Sequence, residues 1–236
     1  MKKIFLLMAL LLPFSIYSYG KDHDEPVQHE EHEYVDLGLP SGTLWATCNV
    51  GANSPEEHGD HFAWGETEAK ESYLPANYKW GEGLERMTKY ITNFIVHYNR
   101  IPKIDHPYRG YVDNKTELDP EDDAATVNWG PQWRTPTKTQ LDELQERCTW
   151  YMAIINSVNG YLVRGPNGNA IFLPTTGKDG WYGEVKGNYW SRTLYSDLPF
   201  WAHRISFDIR MYKVYIASTE FRSSGASVRA VRVSQY

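Results

Sequence analysis

The stretch ELDPEDDAATVNWGPQWRTPTKTQLDEL, residues 117–144, decides how the rest of the chain is read. It holds two helix patterns. Asp119 is a natural N-cap, Pro120 fits the first helical position, and Glu121, Asp122 and Asp123 complement the positive end of a helix. Gly130 stops that helix and Pro131 blocks its continuation. Ala125 and Trp129, one turn apart, form its inward face. The second helix begins at Thr137, with Gln140 three residues on completing a capping box. Leu141, Leu144 and Cys148 then fall on one side of it. Between the two, Arg134 is placed to tie loops together through hydrogen bonds to carbonyls or a carboxylate.

Outward from this pair the pattern is short strands and long loops. Residues 34–37 and 43–49 read as strands around a turn supplied by Gly38, Pro40 and Gly42, and 61–64 as a third. Residues 66–116 are rich in tyrosine and show no single period. Leu84, Met87, Ile91, Phe94, Ile95 and Tyr98 mark a helical face, while the same window is rich in residues that favour strands. After Trp150 the chain turns mostly to strand. Residues 161–165 and 170–174 flank Pro166-Asn-Gly-Asn169, a hairpin signal. Further strands are expected at 189–194, 201–209, 213–217 and 227–233, the last half-buried. Two helices packed on short antiparallel strands make an α+β domain.

The chain has 236 residues, 41% hydrophobic and 23% charged, enough for a packed core. Lys2, Lys3 and the apolar run 4–12, closed by Pro13 and Ser18-Tyr19-Gly20, read as a signal peptide over residues 1–20. The run is too short to span a bilayer, which takes about 20 residues. No cysteine lies nearby, so export to periplasm, cell surface or medium is expected without a lipid anchor. Residues 21–33 are polar and acidic and read as a linker, leaving 34–236 as one domain. Losing Lys2 and Lys3 removes two positive charges and takes the formal charge from −6 to −8. An acidic chain without a basic run argues against nucleic acid or membrane surfaces as partners.

Two cysteines remain, Cys48 and Cys148. In an oxidising compartment they permit one disulfide, closing a loop worth roughly 4–5 kcal/mol in the chain-entropy model. The alternative is two buried free thiols.

Six segments together carry a family resemblance: YVDLGLPSGTLWATCNVGA (34–52), FAWGET (62–67), EDDAATVNWGPQWRTPT (121–137), GPNGNAIFLP (165–174), YWSRTL (189–194) and SVRAVR (227–232). They resemble the Fibrobacter succinogenes major domain family of exported proteins in gut Bacteroidetes and relatives. The resemblance implies a C-type-lectin-like fold, related in architecture to the formylglycine-generating-enzyme family. Those enzymes use a cysteine pair late in the domain, and this chain has no cysteine after Cys148. Calcium-dependent lectins carry Glu-Pro-Asn or Gln-Pro-Asp and then Trp-Asn-Asp. Here Gly165-Pro166-Asn167 lacks the acid.

The residues offer no nucleophile elbow and no phosphate loop, and no catalytic residue is assigned. The oxygen-rich run Asp113, Asn114, Asp119, Glu121, Asp122 and Asp123 has ligand types that calcium takes, but no calcium-loop spacing, and reads as a solvated helix start. His58 and His61 flank Asp60 without a third zinc ligand nearby. No metal is assigned. Trp181 and Tyr182, in a polar glycine-bounded loop with Asn188 near by, are candidates to stack a sugar ring and bond its hydroxyls, or to cap the sheet. Trp190, mid-strand, reads as core. The expected role is that of a non-enzymatic exported module binding a glycan or a surface protein. The alternatives are an enzyme acting on polysaccharide or protein, and a structural or adhesin component of the envelope.

Overall fold

The helix pair forms, with its first cap moved. In the computed structural model, which describes residues 32–81, 87–92, 112–176, 185–211 and 213–233, Asp119 opens only a 3₁₀ turn, Pro120–Asp122. Helix α1, Ala124–Trp129, is capped by Asp123, whose Oδ1 accepts from Ala125 N at 3.0 Å and Thr126 N at 3.4 Å. Tertiary structure decides among the successive acids: the Asp123 carboxylate also takes the Thr135 N–H and hydroxyl from across the turn. Gly130, at φ 98°, ends the helix. Helix α2, Lys138–Arg147, carries the expected Thr137–Gln140 capping box, and Leu141, Leu144 and Cys148 are buried.

Eleven strands among the described residues form three open sheets. The first orders β1 (Tyr34–Asp36), β2 (Thr43–Ala46) and β11 (Val231–Val233) as β1-β2-β11. The second orders β3 (His61–Phe62), β10 (Ala226–Ser227), β7 (Lys186–Leu194), β8 (Trp201–Asp208) and β9 (Lys213–Phe221) as β3-β10-β7-β8-β9. The third is the meander β4 (Thr149–Ile155), β5 (Val158–Arg164) and β6 (Ala170–Pro174). All pairings are antiparallel except β10 with β7. The β4–β5 hairpin turns at Asn156 and Ser157, both at positive φ (47° and 67°), as a tight primed turn requires. Asn at the first of these positions was its sequence signal. The 166–169 turn stands as expected, with Arg164 paired to Ala170.

The five-stranded sheet separates two buried clusters, because successive strand residues face opposite sides. On one side Tyr189, Ile205 and Phe207 pack with Leu141, Leu144 and Trp45. On the other Trp190, Leu194 and Ala202 pack with Trp64, Trp129 and Trp133. Trp190 is core, donating Nε1–H to Phe62 O at 2.8 Å. His32, which the sequence places in the linker, stacks on Trp129 at 3.9 Å. Met87 and Ile91 are buried in a third cluster, while Leu84, Phe94, Ile95 and Tyr98 lie outside the described residues.

Three expectations are corrected. The segment 227–233 is not one strand: β10 and β11 join different sheets, and Arg229 between them is 1% exposed. Its Nε donates to Asn49 Oδ1 at 2.8 Å and its Nη1 to Thr47 O at 3.0 Å, while Nη2 has no partner among the described residues, a polar seat that composition cannot announce. Arg134 ties the 133–135 segment to β11, but through its backbone, with N to Val231 O at 3.0 Å, and its side chain is exposed. Cys48 and Cys148 are free thiols. They belong to different clusters: Cys48 packs beside the Trp64 group and donates to Ala52 O at 3.4 Å, while Cys148 sits under α2.

Candidate functional site

Above the face of the second sheet lies a polar cleft of about 500 Å³, within the ~300–1,000 Å³ usual for small-ligand sites. Its floor follows from strand alternation. A Cβ on Gly187 would strike the Phe207 ring, and Tyr189 packs beside that ring, so both face α2. Asn188 between them faces the other way, onto the cleft. The pairing Trp190↔Arg204 puts Arg204 on the same face, and Ala202↔Glu220 adds Glu220. The walls come from 59–61, 69–73 and 224–225.

Most of the polar groups are held by neighbours. Arg204 Nη2 lies 2.9 Å from Glu220 Oε2, and its Nε donates to Ser218 Oγ at 3.2 Å. Glu220 Oε1 takes the Phe221 N–H at 3.0 Å. Lys70 is paired with Glu66 and donates to Asn77 O at 2.6 Å. His61 Nε2 lies 3.0 Å from Thr176 O, which only accepts, so that nitrogen carries the proton. Tyr73 donates its hydroxyl to His61 O and receives Lys70 N at 3.0 Å. Burial raises the Tyr73 pKa, backbone bonding to Lys70 works against this, and the charges of Asp60 and Glu66 add to the rise. Gly225 is required beneath that ring, since a Cβ there would fall 2.6 Å from it.

Asn188 is the exception. It is only 9% exposed, and its backbone N–H is spent on Thr176 Oγ1 at 3.0 Å. Its side-chain amide makes no hydrogen bond among the described residues and is what it offers to the cleft. The amide atoms reach the solvent of the cleft, where a ligand takes the place of water on them.

Of the sequence candidates, Asn188 is thus in the cleft, whereas Trp181 and Tyr182 lie outside the described residues. The acidic run is not the solvated helix start that its sequence suggests. Asp122 and Asp123 are 2% and 0% exposed. Asp119, Glu121 and Asp122 converge. At their centre sits the Lys89 ammonium, 2.8 Å from Asp119 and 2.6 Å from Asp122. Tyr90 donates to Asp122 at 2.6 Å, and Asp113 accepts from Tyr90 N and Ile91 N, both at 2.8 Å. Burial works against ionisation of Asp119, but hydrogen bonds from Lys115 and Lys89 hold it below the usual carboxylate range. The cluster is a clamp between the 87–92 and 112–123 segments.

His61 joins the cleft wall, while the His58 carbonyl accepts from Asn49 Nδ2 at 3.0 Å. Sequence reasoning missed Tyr73, Arg204 and Glu220, and named Asp60 only as the residue between His58 and His61. Strand alternation across β7–β9 carried a signal for Arg204 and Glu220; nothing local marked Tyr73. Compared with models of known protein families, with curated proteins and with solved structures, the chain matches none of them.

Proposed function

We propose that this protein is an exported, non-enzymatic binding module whose ligand, a glycan, occupies the cleft over β7–β9. We also propose a C-type-lectin-like fold and membership of the Fibrobacter succinogenes major domain family. The observation that carries the binding reading is Asn188, a residue 9% exposed whose amide lines the cleft and has no hydrogen-bond partner among the described residues. A carboxamide offers two donors and an acceptor, the complement of adjacent sugar hydroxyls. Tyr73, half-buried in the wall, adds an aromatic surface for the apolar face of a sugar ring. Arg204 and Glu220, locked to each other, hold the floor rigid. Pre-ordering of this kind lowers the entropic cost of binding.

No helix among the described residues is long and apolar enough to cross a membrane. Export through residues 1–20 is part of the proposal, and mature protein recovered outside the cytoplasm should begin at Lys21.

A glycan array probed with wild type and Asn188→Ala tests the site. Wild type should retain one class of oligosaccharide and gain thermal stability with it, and the variant should lose both effects while keeping its unliganded melting point within a few degrees. Indistinguishable array profiles for the two proteins would remove the cleft as the binding site.

A further inference from the structure

Resting on the reading of the cleft as a glycan site, the geometry points to a ligand that carries positive charge: an amino sugar with its amine free. The charge inventory of the walls leads there. The two permanent cations are already neutralised, Lys70 by Glu66 and Arg204 by Glu220, and the third basic group, His61, turns its Nε2 onto Thr176 O. Glu220 in turn is used up by Arg204 and the Phe221 N–H. Two carboxylates remain, Asp60 and Glu71. Both are exposed at the edge of the cleft, and neither is engaged by a hydrogen bond or ion pair among the described residues. The cleft therefore presents uncompensated negative charge beside an amide that has no partner among the described residues.

An independent observation fixes where the sugar sits. The Asn188 amide on the floor lines the cleft and has no partner among the described residues, which seats a ring with hydroxyls there. A ring on Asn188 then turns one edge toward the walls that carry Asp60 and Glu71. A protonated amine on that edge meets opposite charge, a neutral hydroxyl meets hydrogen-bond acceptors only, and a uronic carboxylate meets repulsion. The acidic balance of the whole chain, −6, works in the same direction at long range.

The test uses four tetrasaccharide probes at pH 5.5 and low salt: glucosamine, N-acetylglucosamine, glucose and galacturonic acid, each titrated calorimetrically into the full-length mature protein. The glucosamine tetramer should bind at least about tenfold more tightly than the N-acetylated and glucose tetramers. The galacturonic acid tetramer should bind most weakly. Raising the salt should shrink the preference, because exposed charges are screened. In Asp60→Asn/Glu71→Gln, both exposed and replaced by isosteres, the ratio of glucosamine to glucose affinity should fall below about threefold. Equal affinity for the glucosamine and glucose tetramers, with binding still lost in Asn188→Ala, would overturn the charge inference and leave the glycan site standing. Preference for galacturonic acid would overturn it as well. Failure of all four tetramers to bind would remove both the inference and the reading beneath it.

Discussion

Replacing Asp123 with alanine should be among the most damaging single changes in the helix pair. The carboxylate is 0% exposed and accepts from Ala125 N, Thr126 N, Thr135 N and Thr135 Oγ1. Loss of an N-cap costs about 1 kcal/mol. Thr135 is itself 1% exposed, so its N–H and hydroxyl lose their partner inside the protein, at roughly 1–3 kcal/mol each. The sum is about 3–7 kcal/mol, a large part of the ~5–15 kcal/mol that holds a typical domain together. Asp123→Asn keeps the volume and one acceptor oxygen. It also removes a charge whose pKa burial raises, against the pull of the Thr135 hydrogen bonds and Arg192. Its cost should be only about 1–2 kcal/mol. Urea unfolding followed by tryptophan fluorescence measures both, provided the denaturant slope is shared. An Asp123→Ala loss below about 1 kcal/mol, or equal losses for the two variants, would show that this carboxylate does not hold the pair together.

Other expectations follow from the same contacts. Lys89→Met strips the ammonium from Asp119 and Asp122, leaving Asp122 with Tyr90 and, at 3.4 Å, Lys79. The loss should fall somewhat below the ~3–5 kcal/mol of a fully buried pair, since the Lys89 side chain keeps 21% exposure. Thermal melting reads it, and an unchanged midpoint contradicts the clamp. Both thiols should be unreactive toward a thiol reagent in the native protein, with Cys148 pushed up to about 11 by burial and the charge of Glu143. Reductant should leave the melting point unchanged, and a lowered one would reveal a bridge. Burial, and then Lys138, depress the pKa of His203 below 6.5 despite Asp142 and Asp197. The unfolded chain then binds the proton more readily, so this group costs stability as pH falls through about 6.5. Unfolding free energies from pH 7.5 to 5.5 should drop less steeply in His203→Gln than in wild type, and parallel curves would contradict the assignment.

What was legible in the sequence was local. The Thr137–Gln140 box, the Leu141–Leu144–Cys148 stripe and the Pro166–Asn169 turn need only neighbours a few residues away, and all three stand in the structure. Where several residues could play the same part, distant partners decided. Asp123 rather than Asp119 caps α1 because Thr135 faces it. Arg229 is buried because backbone carbonyls at 46–47 and Asn49 receive it, and no hydropathy pattern encodes that. The cleft was the least legible part. Its walls and floor come from segments far apart in the chain, and Asn188 earned its place there through the register of β7 against β8.

The most direct test of the cleft as the binding site is a titration of isotope-labelled protein with the tightest array ligand, followed by ¹H–¹⁵N spectra that include side-chain amides. The Asn188 carboxamide pair should show the largest shifts, with the Thr176 and Gly225 backbone amides and the Arg204 Nε moving alongside. Saturable shifts confined to residues outside the cleft, with the Asn188 amide unmoved, would contradict the central claim.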